Sequence, residues 1–95
     1  MTLTILAQIT AVQGKEDLVH AALEKLVAIT RAEAGCIQYD LHKDNDKPGF
    51  FVFYETWENR ELWQAHMGAP HLAAYMAATD GAVSSFVLNE MTKLG

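Results

Sequence analysis

Hydrophobic residues recur at every second position at the start of the chain. The apolar members of this pattern are Leu3, Ile5, Ala7 and Ile9, and the residues between them are Thr4, Leu6, Gln8 and Thr10. A period of two is typical of a β-strand, whose successive side chains point to opposite faces. The pattern therefore predicts a first strand with one largely polar face.

After Gly14 the apolar spacing changes to that of an α-helix. The residues at helical spacing are Val19, Leu23, Leu26, Val27 and Thr30. Glu16 and Asp17 stand in the first turn, where the helix dipole favours negative charge. Gly35 suits a left-handed cap, so we expect the helix to end near Gly35.

A β-hairpin is predicted next along the chain. Apolar and polar residues alternate over 37–42, and the segment 44–49 is dense in turn-forming residues. The segment 50–54 is apolar on both faces, which is typical of a central strand that is covered on each side. Phe51 and Phe53 are therefore candidates for a subunit interface, although the pattern does not decide which face of this strand turns outward.

Capping and helix-breaking residues divide the following segment into two short helices. Asn59 can cap a helix over Arg60–Met67, and Gly68 interrupts that helix. Pro70 suits the first position of another helix, which we expect to end near Gly81.

A last strand over residues 83–92 completes the order β-α-β-β-α-β. This is the ferredoxin-like α+β plan, in which an antiparallel sheet carries its helices on one face. A length of 95 residues fits one domain over 1–95. The other face of the sheet has no helix to cover it. We therefore expect a homodimer that packs sheet against sheet and encloses a mostly apolar pocket.

Composition and charge narrow the classes of partner. The hydrophobic share of 51% is high for one small core and supports burial against a partner subunit. The net charge of −5 and the scattered basic residues argue against nucleic acid. No leader pattern appears, and no apolar run approaches the roughly 20 residues that cross a bilayer. Cys36 is the only cysteine and excludes a CxxC site. We expect a soluble, cytoplasmic protein that binds no membrane.

The densest group of chemically useful side chains follows the third predicted strand. It consists of Tyr54, Glu55, Trp57, Trp63, His66, His71 and Tyr75. The break between the two short helices lets their faces converge on one cleft. An imidazole in an apolar cleft can take a proton from a phenol, a hydroquinone or an activated carbonyl compound. The candidates for catalysis are His66, His71 and Glu55, and those for substrate binding are Tyr54, Trp57, Trp63 and Tyr75.

Structural roles for the same residues stay open. Trp63 and Tyr75 fit ordinary core aromatics, His71 fits a residue that covers a helix start, and Glu55 fits a salt bridge across the dimer. We expect no metal site, because His66 and His71 are five residues apart and lack the i,i+4 spacing of a zinc-binding helix. Phosphate-binding glycine motifs and a G-x-S-x-G motif are absent from the sequence, so nucleotide cofactors and serine hydrolase chemistry have no support.

Three sequence elements carry a resemblance to a known family. They are G-C-x-x-Y-D-L-H from Gly35, Y-E-x-W from Tyr54, and H-x3-P-H from His66 to His71. In this order and spacing they resemble the antibiotic biosynthesis monooxygenase family, in particular its small quinol-monooxygenase-like and autoinducer-degrading members. The resemblance covers nearly the whole chain. It implies a dimeric α/β barrel with a pocket between sheet and helices in each subunit.

The resemblance also implies a chemistry. The family includes monooxygenases that oxidise hydroquinones or polyketide phenols with O2 and without flavin, haem or metal. The implied function is a cofactor-free monooxygenase that acts on a small aromatic or quinol-type molecule, with His66 as the first candidate for the base. A non-catalytic ligand-binding or stress-related dimer, and an isomerase or degradation enzyme on the same fold, remain alternatives.

Haem-degrading relatives in the family use a β1 asparagine, a helix tryptophan and a haem-ligating histidine. The corresponding stretch of the first strand here ends in Gln8, the tryptophan position holds His66, and the haem-ligand position falls near Met76. The resemblance therefore disfavours haem degradation.

Overall fold

The structure, a computed structural model, describes residues 2–95 and confirms the predicted order of strands and helices. The elements are β1 (Leu3–Ala11), α1 (Glu16–Arg31), β2 (Cys36–Lys43), β3 (Phe50–Trp57), α2 (Arg60–Met67), α3 (Pro70–Ala78) and β4 (Val83–Met91). Helices α2 and α3 together take the place of the second helix of the ferredoxin-like plan.

The strands form one antiparallel sheet in the order β2-β3-β1-β4. Strands β1 and β3 are central, as the two-sided apolar pattern of β3 predicts. Leu3 of β1 pairs with Trp57 of β3, and this register continues to Thr10 opposite Phe50. The fold is therefore the ferredoxin-like α+β fold that the sequence indicates.

Alternate residues of β3 face opposite sides of the sheet, and the structure decides which side meets the helices. Phe51 and Phe53 are buried among the helices, each with 3% of its surface exposed. Val52 and Tyr54 lie on the other side, which we call the outer face. The expectation that Phe51 or Phe53 lies at a subunit interface is therefore wrong, because both side chains belong to the core of the subunit.

Helix α1 ends earlier than its capping glycine predicts. Its last residue is Arg31, and a turn over residues 32–35 follows before β2 begins. Gly35 has φ +84°, and a Cβ atom at this position would lie 2.4 Å from Cδ1 of Leu62. Its carbonyl oxygen accepts a hydrogen bond of 2.8 Å from the backbone N–H of Glu58. The lack of a side chain therefore lets α2 pack directly on the turn that follows α1.

The break between α2 and α3 follows the predicted capping chemistry. The side chain of Asn59 accepts a hydrogen bond of 2.9 Å from the backbone N–H of Leu62 at the start of α2. Gly68 ends α2, and Pro70 is the first residue of α3. His66 therefore stands in the last turn of α2 and His71 in the first turn of α3.

No helix within residues 2–95 combines the length and the hydrophobicity that are needed to cross a bilayer.

Candidate active site

A cavity of about 50 Å³ lies between the helix-facing side of the sheet and the helices. Most of its lining is aliphatic or aromatic and comes from β1, β3, α1 and β4. The polar groups in this lining belong to Tyr39, Glu55, His66 and Tyr75. A largely apolar cavity with a few converging polar groups is the usual form of a small-molecule site.

His66 is held in the cavity by aromatic rings and by a carboxylate. It is 2% exposed, and its ring packs against Trp57 and Tyr39 with centroid distances of 4.8 and 5.6 Å. Its Nδ1 atom lies 2.5 Å from Oε2 of Glu33. Because a carboxylate oxygen only accepts, Nδ1 carries the hydrogen and Nε2 holds the lone pair. The imidazole is thus held in the tautomer that leaves Nε2 free to act as a base.

Burial lowers the pKa of His66, because the charged imidazolium loses its hydration there. The hydrogen bond to Glu33 and the negative charge of Glu33 act in the opposite direction. His66 is therefore mainly neutral at neutral pH. When it gains a proton, the carboxylate beside it stabilises the resulting charge.

His71 approaches the same carboxylate from the other side of the helix break. Its Nε2 atom lies 3.0 Å from Oε2 of Glu33, and its side chain is 16% exposed. His66 and His71 thus meet at one carboxylate group, as the expected convergence of the two helix faces implies. The chain turns between α2 and α3, so two histidines on different helices can meet although they lack i,i+4 spacing.

Glu55 is a second titratable group in the cavity. It is 3% exposed, and one of its carboxyl oxygens accepts a hydrogen bond of 2.9 Å from the indole N–H of Trp57. Burial is the main cause that raises the pKa of Glu55 to about 7. The negative charge of Glu33 acts in the same direction, and the hydrogen bond from Trp57 opposes both. The side chain of Glu55 points towards the helices, so a dimer that packs through the outer face would not bring a salt-bridge partner to it.

The cavity continues into a groove of about 270 Å³ between α3 and β4. The two spaces share Met67, Leu72, Tyr75 and Phe86 as lining residues. Phe86 is 55% exposed, so this groove is open at the surface. Tyr75 therefore lines both the open groove and the cavity that holds the buried imidazole.

The other predicted substrate-binding residues lie outside the cavity. Tyr54 is on the outer face and is 40% exposed, because it is next to Glu55 in a strand and points the opposite way. Trp57 is fully buried behind His66 and Glu55, which it supports. Trp63 is 5% exposed and packs in the core, which agrees with its structural interpretation. Of the predicted aromatic contacts, only Tyr75 reaches the cavity.

Two residues of the site are not among the sequence candidates. Tyr39 stacks on Phe53 with a centroid distance of 4.4 Å and also meets His66. Glu33 lies just beyond the C-terminal end of α1, where the helix dipole disfavours negative charge. That unfavourable position is the one sequence signal that points to a special role for Glu33.

Cys36 takes no part in this arrangement. Burial raises the pKa of its thiol, and the negative charges of Glu55 and Glu33 add to the effect. The thiol therefore stays protonated at neutral pH.

The ferredoxin-like fold with a buried, carboxylate-held imidazole in an apolar cavity defines a small α+β protein with a candidate proton-transfer site. The family model described as antibiotic biosynthesis monooxygenase matches residues 2–78, and the chain belongs to this family.

Three known proteins illustrate the relationship. The chain is 38% identical over 58 residues to the Mycobacterium tuberculosis protein named "Putative monooxygenase Rv0793", and the match covers 61% of this chain and 56% of that one. The solved structure of Rv0793 superposes with a TM-score of 0.91 at 25% identity, over 100% of this chain and 97% of that chain. The crystal structure of PA3566 from Pseudomonas aeruginosa gives a TM-score of 0.95 at 31% identity, over 99% and 95% of the two chains.

A crystal structure described as an antibiotic biosynthesis monooxygenase gives a TM-score of 0.90 at 28% identity, over 98% of this chain and 99% of that chain. The curated relatives match by sequence over about half of their own length, namely 56% and 42%. These similarities establish the family and the fold.

Proposed function

We propose that this protein oxidises a small aromatic or quinol-type molecule with O2, without a resident cofactor, and that His66 is the base that deprotonates the substrate. The observation that carries the proposal is the contact of 2.5 Å between His66 Nδ1 and the Glu33 carboxylate. It leaves Nε2 as the acceptor in an apolar cavity. Membership of the monooxygenase family and the name given to Rv0793 support the same reaction class.

The arrangement of His66 and Glu33 supports a proton transfer as the first step. A phenolic hydroxyl in the cavity gives its proton to Nε2 of His66, and Glu33 stabilises the imidazolium that forms. The substrate anion is electron-rich and reduces O2 directly. Conversion of a hydroquinone and O2 into a hydroxyquinone and water balances without an external reductant, because the hydroquinone supplies all four electrons that O2 accepts. Glu55, with a pKa of about 7, is suited to relay protons in the same cavity.

The cavity and the groove together limit the shape of the substrate. A cavity of about 50 Å³ is smaller than the roughly 150 Å³ site that is known to hold benzene. We therefore expect the ring to occupy the groove between α3 and β4 as well, and to displace the side chain of Tyr75 when it reaches His66. Such a substrate is flat, largely apolar and carries at least one ionisable hydroxyl.

A second candidate is an isomerase, and the pairing of Glu55 with His66 in one cavity favours it. A keto–enol shift needs one group that removes a proton and another that donates one. Glu55 is protonated in part at neutral pH, and His66 is mainly neutral. Exchange of a substrate C–H for deuterium in heavy water without O2 would support the isomerase over the oxygenase.

Oxygen uptake is the test of the proposed function. Purified protein with a chelator is assayed in an oxygen electrode against a panel of quinols, catechols and activated phenols. Uptake above the spontaneous rate with at least one substrate is the expected result. Uptake that the chelator abolishes would contradict a reaction without a resident metal. Ligand binding without uptake would favour a non-catalytic binding protein.

We further propose that a second copy of this chain covers the outer face. Its apolar side chains include Leu6, Val52, Tyr54, Val87 and Met91, of which Tyr54, Val87 and Met91 are each at least 40% exposed. A half-buried sheet face of this kind is self-complementary about a twofold axis. In the homodimer each cavity would stay on the helix side of its own sheet.

A further inference from the structure

Glu33, His66 and His71 bring three metal-binding donor atoms together. One ligand atom of each residue lies within 4.8 Å of the other two. Oε2 of Glu33 is 2.5 Å from Nδ1 of His66 and 3.0 Å from Nε2 of His71. The donors come from three different elements, namely the turn after α1, the end of α2 and the start of α3. The tertiary fold therefore fixes their relative positions.

The donor set fits a transition metal ion. Two imidazole nitrogens and one carboxylate oxygen form a common three-ligand zinc site, in which the fourth position stays open. Metal–ligand distances of about 2.0–2.2 Å place tetrahedral donors about 3.3–3.6 Å apart. The separations of 2.5 and 3.0 Å from Glu33 are shorter than this, so a shift of its carboxylate by about 1 Å would admit the ion.

Access and rigidity also suit an ion. The side chains of Glu33 and His71 are 19% and 16% exposed, whereas that of His66 is 3% exposed. The ion would reach the donors from the surface and meet a histidine that Trp57 and Tyr39 hold in place. A pair of exposed partners without a third donor, such as His20 and Glu24 at 2.6 Å, lacks this arrangement.

We propose that Glu33, His66 and His71 form a binding site for one Zn²⁺-type divalent transition metal ion per chain. Coordination through Nδ1 leaves the imidazole hydrogen of His66 on Nε2. In that tautomer His66 donates a hydrogen bond into the cavity and no longer accepts a proton. The ion would therefore inhibit the proposed reaction. This consequence rests on the proposed function, whereas binding of the ion does not.

Direct metal titration tests the site without any substrate. Protein stripped with a chelator is titrated with Zn²⁺ by calorimetry and with Co²⁺ by absorption spectroscopy. We expect one ion per chain and the visible bands of tetrahedral Co²⁺. In His71→Asn and Glu33→Gln the affinity should fall at least tenfold, and in His20→Asn, which removes the exposed pair, it should be unchanged.

Two results would overturn the site. One is a wild-type affinity for Zn²⁺ that is no higher than that of His71→Asn, when circular dichroism shows that both proteins are folded. The other is loss of binding in His20→Asn, which would place the ion on the surface of α1. Because the titration contains no substrate, a protein that binds Zn²⁺ but consumes no O2 would contradict the proposed function and leave the metal site intact.

Discussion

Nδ1 of His66 lies 2.5 Å from Oε2 of Glu33, although the two residues are 33 positions apart in the chain. The contact joins the end of α2 to the turn after α1 and sets the tautomer of the buried imidazole. Glu33 is thus a positioning residue that acts through His66.

Replacement of Glu33 by Gln should lower kcat about tenfold to a hundredfold with little change in KM, which is the usual size of a lost supporting contact to a functional histidine. The amide can still accept a hydrogen bond, but it carries no charge to stabilise the imidazolium. Nitrogen NMR of His66 provides an independent signature, because the wild type should have its hydrogen on Nδ1. An unchanged kcat, together with a wild-type His66 with its hydrogen on Nε2, would contradict this role.

Replacement of Gly35 by Ala should destabilise the protein more than the same change at Gly81. Both glycines have positive φ, of +84° and +77°, so each substitution carries a backbone cost of about 1–2 kcal/mol. Only at Gly35 does the new methyl group meet Leu62, which adds about 1–3 kcal/mol of overpacking. Urea denaturation of the two variants measures the difference.

The double variant Gly35→Ala with Leu62→Ala relieves the part of the clash that involves Cγ and Cδ1 of Leu62, while the Cβ atom at 2.7 Å stays. If the clash is real, Leu62→Ala should cost less in the Gly35→Ala background than in the wild type. Equal destabilisation by Gly35→Ala and Gly81→Ala would show that α2 does not pack closely on the turn.

The stability of the wild type should fall as pH rises because of Glu55, and replacement of Glu55 by Gln should abolish this part of the fall. The pKa of Glu55 is raised from 4.5 to about 7 in the folded state, so between these values the folded protein holds more protons than the unfolded chain. Its contribution is complete below about pH 4.5 and is lost as pH rises through about 7, by about 3 kcal/mol at 1.36 kcal/mol per unit.

Other titratable groups around Glu55 also contribute to the pH dependence of stability. Glu33, His66 and Tyr39 are present in both proteins, so their effects cancel to first order in the difference between Glu55→Gln and wild type. Urea midpoints measured at about pH 5 and about pH 8 give that difference. The same pH dependence in both proteins would show that Glu55 is already charged in the folded state at low pH.

Replacement of Val52 by Asp should give a folded monomer, and replacement of Phe53 by Asp should unfold the chain. Val52 faces outward, where a charge only disrupts contact with a second copy. Phe53 is 3% exposed, and an unpaired carboxylate there lacks solvation. Light scattering and circular dichroism distinguish the two outcomes. A wild-type monomer at micromolar concentration would contradict the proposed homodimer, and a Val52→Asp dimer would place the interface elsewhere.

The sequence predicts the fold well because periodicity and breakers are local signals. Alternation in β1, the helical spacing of Val19 and Leu23, and the Gly68 and Pro70 break all match the structure. The two faces of β3 could not be told apart, because apolar residues occupy both and only the packing of the helices decides which of them is buried.

Less of the candidate site can be predicted from the sequence, because the site depends on contacts between residues that are far apart in the chain. Glu55 and His66 carry a local signal, namely a polar group among apolar neighbours, and both line the cavity. Tyr54 and Trp63 share the same neighbourhood in sequence but point elsewhere. Glu33 belongs to another segment, and only the close approach of α2 at Gly35 brings it to His66.

The most direct test of the central claim is oxygen uptake by His66→Asn with a quinol that the wild type oxidises. The Asn amide nitrogen takes the place of Nδ1 and can still donate to Glu33, so the change removes little more than Nε2. The expected result is a loss of at least about a hundredfold in turnover, the usual share of a general base, with a melting temperature close to that of the wild type. Turnover at the wild-type rate in a folded His66→Asn protein would contradict the assignment of His66 as the base.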